Sequence, residues 1–339
     1  MQDKIPWITI RSREALLPGG AVLAWSRLAR RSRDIAWRLG LKLYHLNDKP
    51  PYLRALLSTL RLAPRHDCLI LQLPPGPALP GTLLALRGRG KILCDVHTGM
   101  FHYRSIKEIV LNRPFRRLLS KCSHVLAHND DAAGMLERIA PGLVEVIYDP
   151  LPPPKPLEPV EGLDPGRFIL LPASWDPDEP IGYVAGEAIR GLPGGYKLVV
   201  TGRPRGREAS RVRELARRGN SIVLTGFLPE PQYYWLVTNS AAVIALTTWE
   251  YTVLSVIWEA AAYAKPIIAS STRTLRKLLG SDAVYFNVGE DNSLATAVAA
   301  LKPGMGERLS ERLRRLSSES MDRLSSLCNE TGNHTTISP

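Results

Sequence analysis

No stretch of this 339-residue sequence approaches the roughly 20 apolar residues that a membrane-crossing helix needs. Its opening, MQDKIPWITIRSRE, lacks the charged-then-apolar layout of a secretory leader, so a cytoplasmic protein is expected. Only four cysteines occur, Cys68, Cys94, Cys122 and Cys328, with neither a CxxC pair nor a histidine at ligand spacing. They read as buried thiols, not as zinc ligands or a disulfide framework, and no metal is expected. GxGxxG, the Walker loop, HExxH and GxSxG are absent as well. Dinucleotide redox chemistry, P-loop hydrolysis and serine hydrolysis therefore have no support.

What is present is charge, unevenly placed. Residues 1–150 hold 23 Lys and Arg against 12 Asp and Glu, a net of +11, while residues 151–339 are nearly balanced at 21 against 20. A basic half beside a neutral one suggests that the first half meets something anionic. Apolar and polar stretches also alternate in a βα rhythm, which argues for doubly wound parallel sheets. In the first half, strands are expected at Pro6–Ile10, Leu41–Leu46, Cys68–Gln72, Ile92–Val96, Val125–Ala127 and Val144–Tyr148. The intervening helices include one over Ala21–Leu39 and a basic one over Ile106–Ser120. Seven prolines between Pro150 and Pro165 make a stiff link, after which the alternation restarts. The expected division is a first domain over 1–150, the link over 151–165, a second domain over 166–305, a C-terminal helix over 306–328 and a disordered tail over 329–339. Each domain is Rossmann-like, and the pair is expected to face a cleft where strand carboxyl ends converge on ligands.

Ala241–Ser270 carries the densest chemistry. A short apolar strand is followed by a polar loop, a helix from Leu254, and a strand entered through Lys265-Pro266. The helix N-terminus near Leu254 and Ser255 is a seat for phosphate, and Glu259, one turn on, suits ribose hydroxyls. A buried structural glutamate is the competing reading. Other strand ends supply Ser174 and Trp175, Gly202 and Arg203, and Arg273. In the first half, Asp95 and His97 share a strand face just before Thr98, and His97 suits proton transfer or a sugar hydroxyl. A histidine that only fixes its loop is the alternative there. Gly19 and Gly20 would let backbone approach a ligand closely.

With these residues in view, the chain resembles a GT-B glycosyltransferase over nearly its whole length. The segment WEYTVLSVIWEAAAYAKPIIAS resembles the donor-site signature of glycosyltransferase family 4. Glu259 matches the second carboxylate of that signature, which in the family holds the nucleotide ribose. Counting back puts Tyr251 at the first carboxylate position, with Glu250 one residue away, and Thr252 and Leu254 replace the family's loop glycines. The stretches VIYDPLPP, LLPASWDPDEPIG and Cys94-Asp95-Val96-His97-Thr98 resemble the dolichol-pathway β-mannosyltransferases, which act on a lipid-diphosphate-linked chitobiose. That resemblance implies Ser174 near phosphate and His97 near acceptor or donor sugar. A cationic clamp would have to come from Arg203 or Arg273.

The expected architecture is thus α/β, of GT-B type. The expected activity is hexose transfer, with mannose a candidate, from a GDP- or UDP-linked sugar to a glycan acceptor, with a polyprenyl-phosphate-linked one among the candidates. Asp95 and His97 are the catalytic candidates, Gly19, Gly20 and Thr98 the acceptor-side ones. No cofactor beyond the nucleotide-sugar co-substrate is expected, and no nucleic acid. The basic half suits an anionic membrane surface on the cytoplasmic side, through Ile106–Lys121. The competing readings are a sugar-nucleotide epimerase of the same architecture and a non-catalytic binder of polyanions.

Overall fold

The structure is a computed structural model and describes residues 8–11, 17 and 19–330. Most of the expected tail, the first two residues of the expected Pro6–Ile10 strand, and Pro18 lie outside the described residues. The chain divides into two compact units, residues 1–150 with 317–339, and residues 151–316. No helix among the described residues is long and apolar enough to cross a membrane.

Along the first unit run β1 (Ile8–Arg11), β2 (Gly20–Trp25), α1 (Arg30–Arg38), β3 (Lys42–Leu46), α2 (Leu53–Leu62), β4 (Cys68–Leu73), α3 (Ala78–Leu86) and β5 (Lys91–Val96). After them come α4 (Ile106–Asn112), β6 (His124–Ala127), α5 (Asp130–Glu137) and β7 (Val144–Val146). The described strands form one sheet in the order β1-β3-β2-β4-β5-β6-β7, parallel except for β1 at its edge. The strand order reverses between β2 and β4.

Two helix expectations change here. Ala21–Leu39 is not one helix: Ala21–Trp25 belongs to the interior strand β2, with every residue at most 1% exposed, and the helix begins only at Arg30. A strand covered on both faces by helices is apolar throughout, so periodicity cannot separate it from a buried helix. Likewise Ile106–Ser120 is α4 followed by a 3₁₀ run over Arg113–Lys121. Pro114 cannot donate the hydrogen bond that would continue the α-helix.

The second unit comprises β8 (Phe168–Leu171), α6 (Ile181–Arg190), β9 (Lys197–Thr201), α7 (Gly206–Arg217), β10 (Ile222–Gly226), α8 (Glu230–Asn239) and β11 (Ala242–Ala245). Then follow α9 (Ser255–Ala262), β12 (Ile267–Ser270), α10 (Arg273–Leu279), β13 (Val284–Phe286), α11 (Ser293–Ala299) and α12 (Met305–Asn329). Its parallel sheet has the order β10-β9-β8-β11-β12-β13, which in sequence terms is 3-2-1-4-5-6. That is the doubly wound order whose ligand crevice opens where β8 meets β11.

The helix α12 begins in the second unit, where the Ser310 hydroxyl donates to Ala261 O at 2.6 Å. From Ser317 onward it belongs to the first unit, whose core takes in Met321, Leu324 and Leu327. The cysteines are not free thiols. Cys68 at the start of β4 is bonded to Cys328 in the last turn of α12, and Cys94 on β5 to Cys122 just before β6. Sequence separations of 260 and 28 hid both pairs, because sheet pairing and the returning helix, not chain proximity, bring them together.

Candidate functional site

In the second unit the site is built at the carboxyl ends of β8, β9 and β11. After β8 the chain turns through Ser174, which is exposed, and Trp175, which is buried with φ of +59°. The Trp175 indole N–H donates to Thr201 O at 3.1 Å, and its backbone N–H to Glu179 Oε2 at 2.7 Å. After β9 comes Gly202, with φ of +87° and the Ala173 carbonyl 2.0 Å from where a Cβ would lie. Only glycine fits there. These two loops therefore touch.

The β8 and β11 loops are also pinned together. The Thr247 hydroxyl donates to Asp178 Oδ2 at 2.5 Å, and the Thr248 N–H to Asp178 O at 2.9 Å. Burial, then the neighbouring Asp178 charge, pushes the Glu179 carboxyl up to about 7.

The helices α9 and α10 start in opposite ways. Thr272 caps α10 through Leu275 N–H, and Glu250 accepts from Arg273 N–H at 3.0 Å, Thr274 N–H at 3.1 Å and the Thr274 hydroxyl at 3.0 Å. Burial alone would raise the Glu250 pKa, but these donors outweigh it and lower it. Glu250 is thus spent on α10, a helix that the sequence analysis did not assign. By contrast, no side chain caps α9 at Leu254. Its first amides, with Ser255 exposed, have the character of an anion seat.

Glu259 lies one turn into α9, mostly buried, and accepts from the Tyr233 hydroxyl of α8. Tyr251, with φ of +63°, donates its N–H to Thr274 at 2.9 Å, and Thr252 is buried in the same loop. The Arg273 guanidinium lies 5.9 Å from the Tyr251 ring, and that of Arg203 5.0 Å from Phe227. Arg205 donates to Trp175 O and pairs with Asp176, so it braces the β8 loop.

In the first unit Asp95, at the end of β5, is fully buried. It accepts from Arg31 Nε at 2.9 Å, while Arg31 Nη1 donates to Asp149 at 2.6 Å. Burial would raise the Asp95 pKa, but Arg31 foremost, then His97, hold it well below the usual carboxylate range. Asp95 Oδ2 lies 3.0 Å from His97 Nε2. An ionised carboxylate only accepts, so Nε2 donates to Asp95, and in the neutral tautomer this leaves Nδ1 as the acceptor.

His128 packs edge-on against the His97 ring at 4.5 Å. Burial, then Arg31, lowers its pKa to about 4. Its Nε2 is 3.4 Å from Asp95 Oδ1, within ion-pair range but out of line for a hydrogen bond. Asp95, His97 and His128 present potential ligand atoms within 4.8 Å of one another. The Arg31 charge on Asp95 opposes a cation there, and the set is better suited to holding one imidazole.

Thr98 follows His97 directly and opens a 3₁₀ turn. Gly19 and Gly20 are not brought to this place. Gly20 opens β2 and pairs with Cys68, at the amino ends of the strands, where Asp67 and Leu41 fill the space beside the two glycines. Sequence reasoning did not pick out Arg31, His128, Asp149, Asp178, Glu179 or Tyr233 as site residues. Of these, Asp178 and Glu179 stood in a marked stretch next to Ser174 and Trp175, and Asp149 in the marked stretch VIYDPLPP.

No curated protein matches the chain. Residues 185–302 match the family model described as "Glycosyl transferases group 1". Among solved structures, the chain is similar to Anabaena HepE in complex with UDP-glucose, at 14% identity and TM-score 0.66, covering 90% of this chain and 99% of that one. It is similar to sucrose-phosphate synthase from Thermosynechococcus elongatus at 14% identity and TM-score 0.67, covering 91% and 97%. A mutant of S. aureus TarM in complex with Fondaparinux, alpha-GlcNAc-glycerol and UDP matches at 10% identity and TM-score 0.60, covering 81% of this chain. The chain spans only 59% of the length of that TarM. At such identities the likeness speaks to fold alone. The chain has the GT-B fold, and within it residues 185–302 of the second unit match the group 1 glycosyltransferase model.

Proposed function

We propose that the protein transfers a hexose from a nucleotide-diphosphate sugar, seated in the second unit, to an acceptor held by the first. The observation that carries this reading is the group 1 match over residues 185–302, the segment that contains α9 and Glu259. In this reading the diphosphate meets the uncapped start of α9, the ribose hydroxyls meet Glu259, and Ser174 with the Gly202 turn lines the phosphate path. Departing charge is stabilised by fixed amides, with Arg203 or Arg273 as the cation, and no metal is required.

His97 is the group that meets substrate, because Asp95 is fully buried and ion-paired. Asp95 is then a positioning residue that keeps Nδ1 as the acceptor of a hydroxyl proton. A GDP- or UDP-linked donor, a mannosyl group and a lipid-linked acceptor are the finer form of the proposal. Exposed Ile106 and Val110 on α4, among Lys107, Arg113 and Arg117, favour an anionic membrane surface as the place of work.

Thermal shift with GDP-, UDP- and ADP-linked sugars tests the donor half. At least one is expected to raise Tm in the wild type and to lose that effect in Glu259→Ala. No shift with any of them, alongside tight salt-sensitive nucleic-acid binding, would sink the reading.

A further inference from the structure

The first unit holds a cavity of about 260 Å³ that the proposal above does not use. Trp25, Ser26 and Arg27 enter it from the end of β2, and Pro74 and Pro75 from the end of β4. These are the two strands between which the strand order reverses. Open α/β sheets bind ligands outside the carboxyl ends of strands at such a point.

Both loops are fixed from beneath. Gln72, buried on β4, accepts from Ala29 N–H at 2.8 Å and the Ser32 hydroxyl at 2.9 Å, and donates to Arg27 O at 2.7 Å. His45 Nε2 lies 2.7 Å from Ser26 O, and buried Asn112 accepts from Gly76 N–H at 2.9 Å. Polar side chains that would be costly to bury alone are used to hold the walls, which preorganises the site.

The walls have a definite chemistry. Trp25 and Tyr52, with ring centroids 5.8 Å apart, are buried behind the wall, and the Trp25 indole N–H donates to the Thr59 hydroxyl at 2.9 Å. Arg27 and Arg104 bring two guanidinium forks against one carboxylate, Glu108, whose Oε2 already accepts from the Arg104 backbone N–H at 2.7 Å. Guanidinium forks match phosphate. The volume lies below the roughly 300–1,000 Å³ of sites for drug-sized ligands and suits one sugar-phosphate head. Gly99, two residues beyond His97, lines the same cavity, and Pro74 fills the space its side chain would take.

We propose that this cavity binds the phosphate-ester end of the glycosyl acceptor, with the phosphate on Arg27 and Arg104. Calling the ligand an acceptor rests on the proposed function; the recognition of a phosphate ester does not. A soluble sugar phosphate and a lipid-borne one share this chemistry.

The test is titration of the full chain with a hexose 1-phosphate, with the matching methyl hexoside, and with phosphatidylcholine vesicles doped with a polyprenyl phosphate. Arg27→Ser/Arg104→Ser is run beside the wild type, and UDP and GDP binding is measured in parallel. Both arginines are exposed, so the fold is expected to survive. Phosphate-dependent binding that falls at least about tenfold in the double variant, with nucleotide binding unchanged, supports the site. Binding of the free hexose phosphate assigns a soluble ligand, and binding of doped vesicles alone a lipid-borne one. Equal binding of the methyl hexoside, or undiminished phosphate binding in the double variant, overturns the proposal, as does no binding of any probe. Phosphate binding without nucleotide binding would leave the cavity standing and remove the proposed transfer.

Discussion

The Glu259 carboxylate has a partner within the protein, the Tyr233 hydroxyl, so ribose must share or displace it. If Glu259 holds the ribose, Glu259→Ala weakens UDP or GDP binding by about tenfold or more, from the roughly 1.5–3 kcal/mol carried by a hydrogen bond to a charged group. Calorimetric titration reads this, and wild-type affinity in the variant would remove Glu259 from the donor site. Glu179 gives a second residue-scale expectation. Its pKa, raised from 4.5 to about 7, means that the folded state favours the proton. The stabilisation is fully present below about 4.5 and is lost as pH rises through about 7. Glu179→Gln keeps a carbonyl oxygen for Trp175 N–H and cannot ionise. Its Tm should therefore exceed that of the wild type at pH 8, by the equivalent of about 3 kcal/mol, and approach it near pH 4.5. Parallel melting curves for the two proteins across that range would contradict the assignment.

Among elements, the contrast between α9 and α10 is the informative one. Glu250 caps α10, so Glu250→Ala is expected to cost about 1–2 kcal/mol of stability while leaving nucleotide affinity within about twofold. Chemical denaturation beside ligand titration separates these, and a large loss of affinity at unchanged stability would return Glu250 to the donor site. Gly202→Ala puts a methyl group against the Ala173 carbonyl at a φ of +87°, with an expected cost above about 2 kcal/mol. An alanine variant of wild-type Tm would show that the turn can rearrange.

The alternation of elements was readable because each βα unit repeats one pattern, and Glu259 because the apolar run around it marks α9. Ala21–Trp25 misled because a strand buried on both faces has no period of two. Arg31 and Asp149 were out of reach because their contact joins residues 118 apart through the sheet. The capping role of Glu250 was hidden for a similar reason: it depends on a helix start 23 residues further on.

On the scale of the whole molecule, the chain leaves the first unit at Pro150 and re-enters it at Ser317 along α12. Several contacts fasten the returning end within the first unit. Tyr148 N–H donates to Ser320, Arg323 pairs with Glu145, and Lys91 donates to Leu327 O. The apolar packing of Met321, Leu324 and Leu327 and the Cys68–Cys328 bond add to them. Reduction is expected to lower the Tm of the first unit, since closing so long a loop is worth roughly 2–5 kcal/mol. The same should hold for Cys68→Ser/Cys328→Ser, followed by calorimetry.

The bond between Cys68 and Cys328 makes the backbone from one to the other a covalent ring, and the whole second unit is strung on it. A protease that severs one peptide bond in residues 151–316 opens the ring without dividing the molecule. Electrophoresis of nicked protein without reductant should show a single species of full mass, and with reductant two fragments.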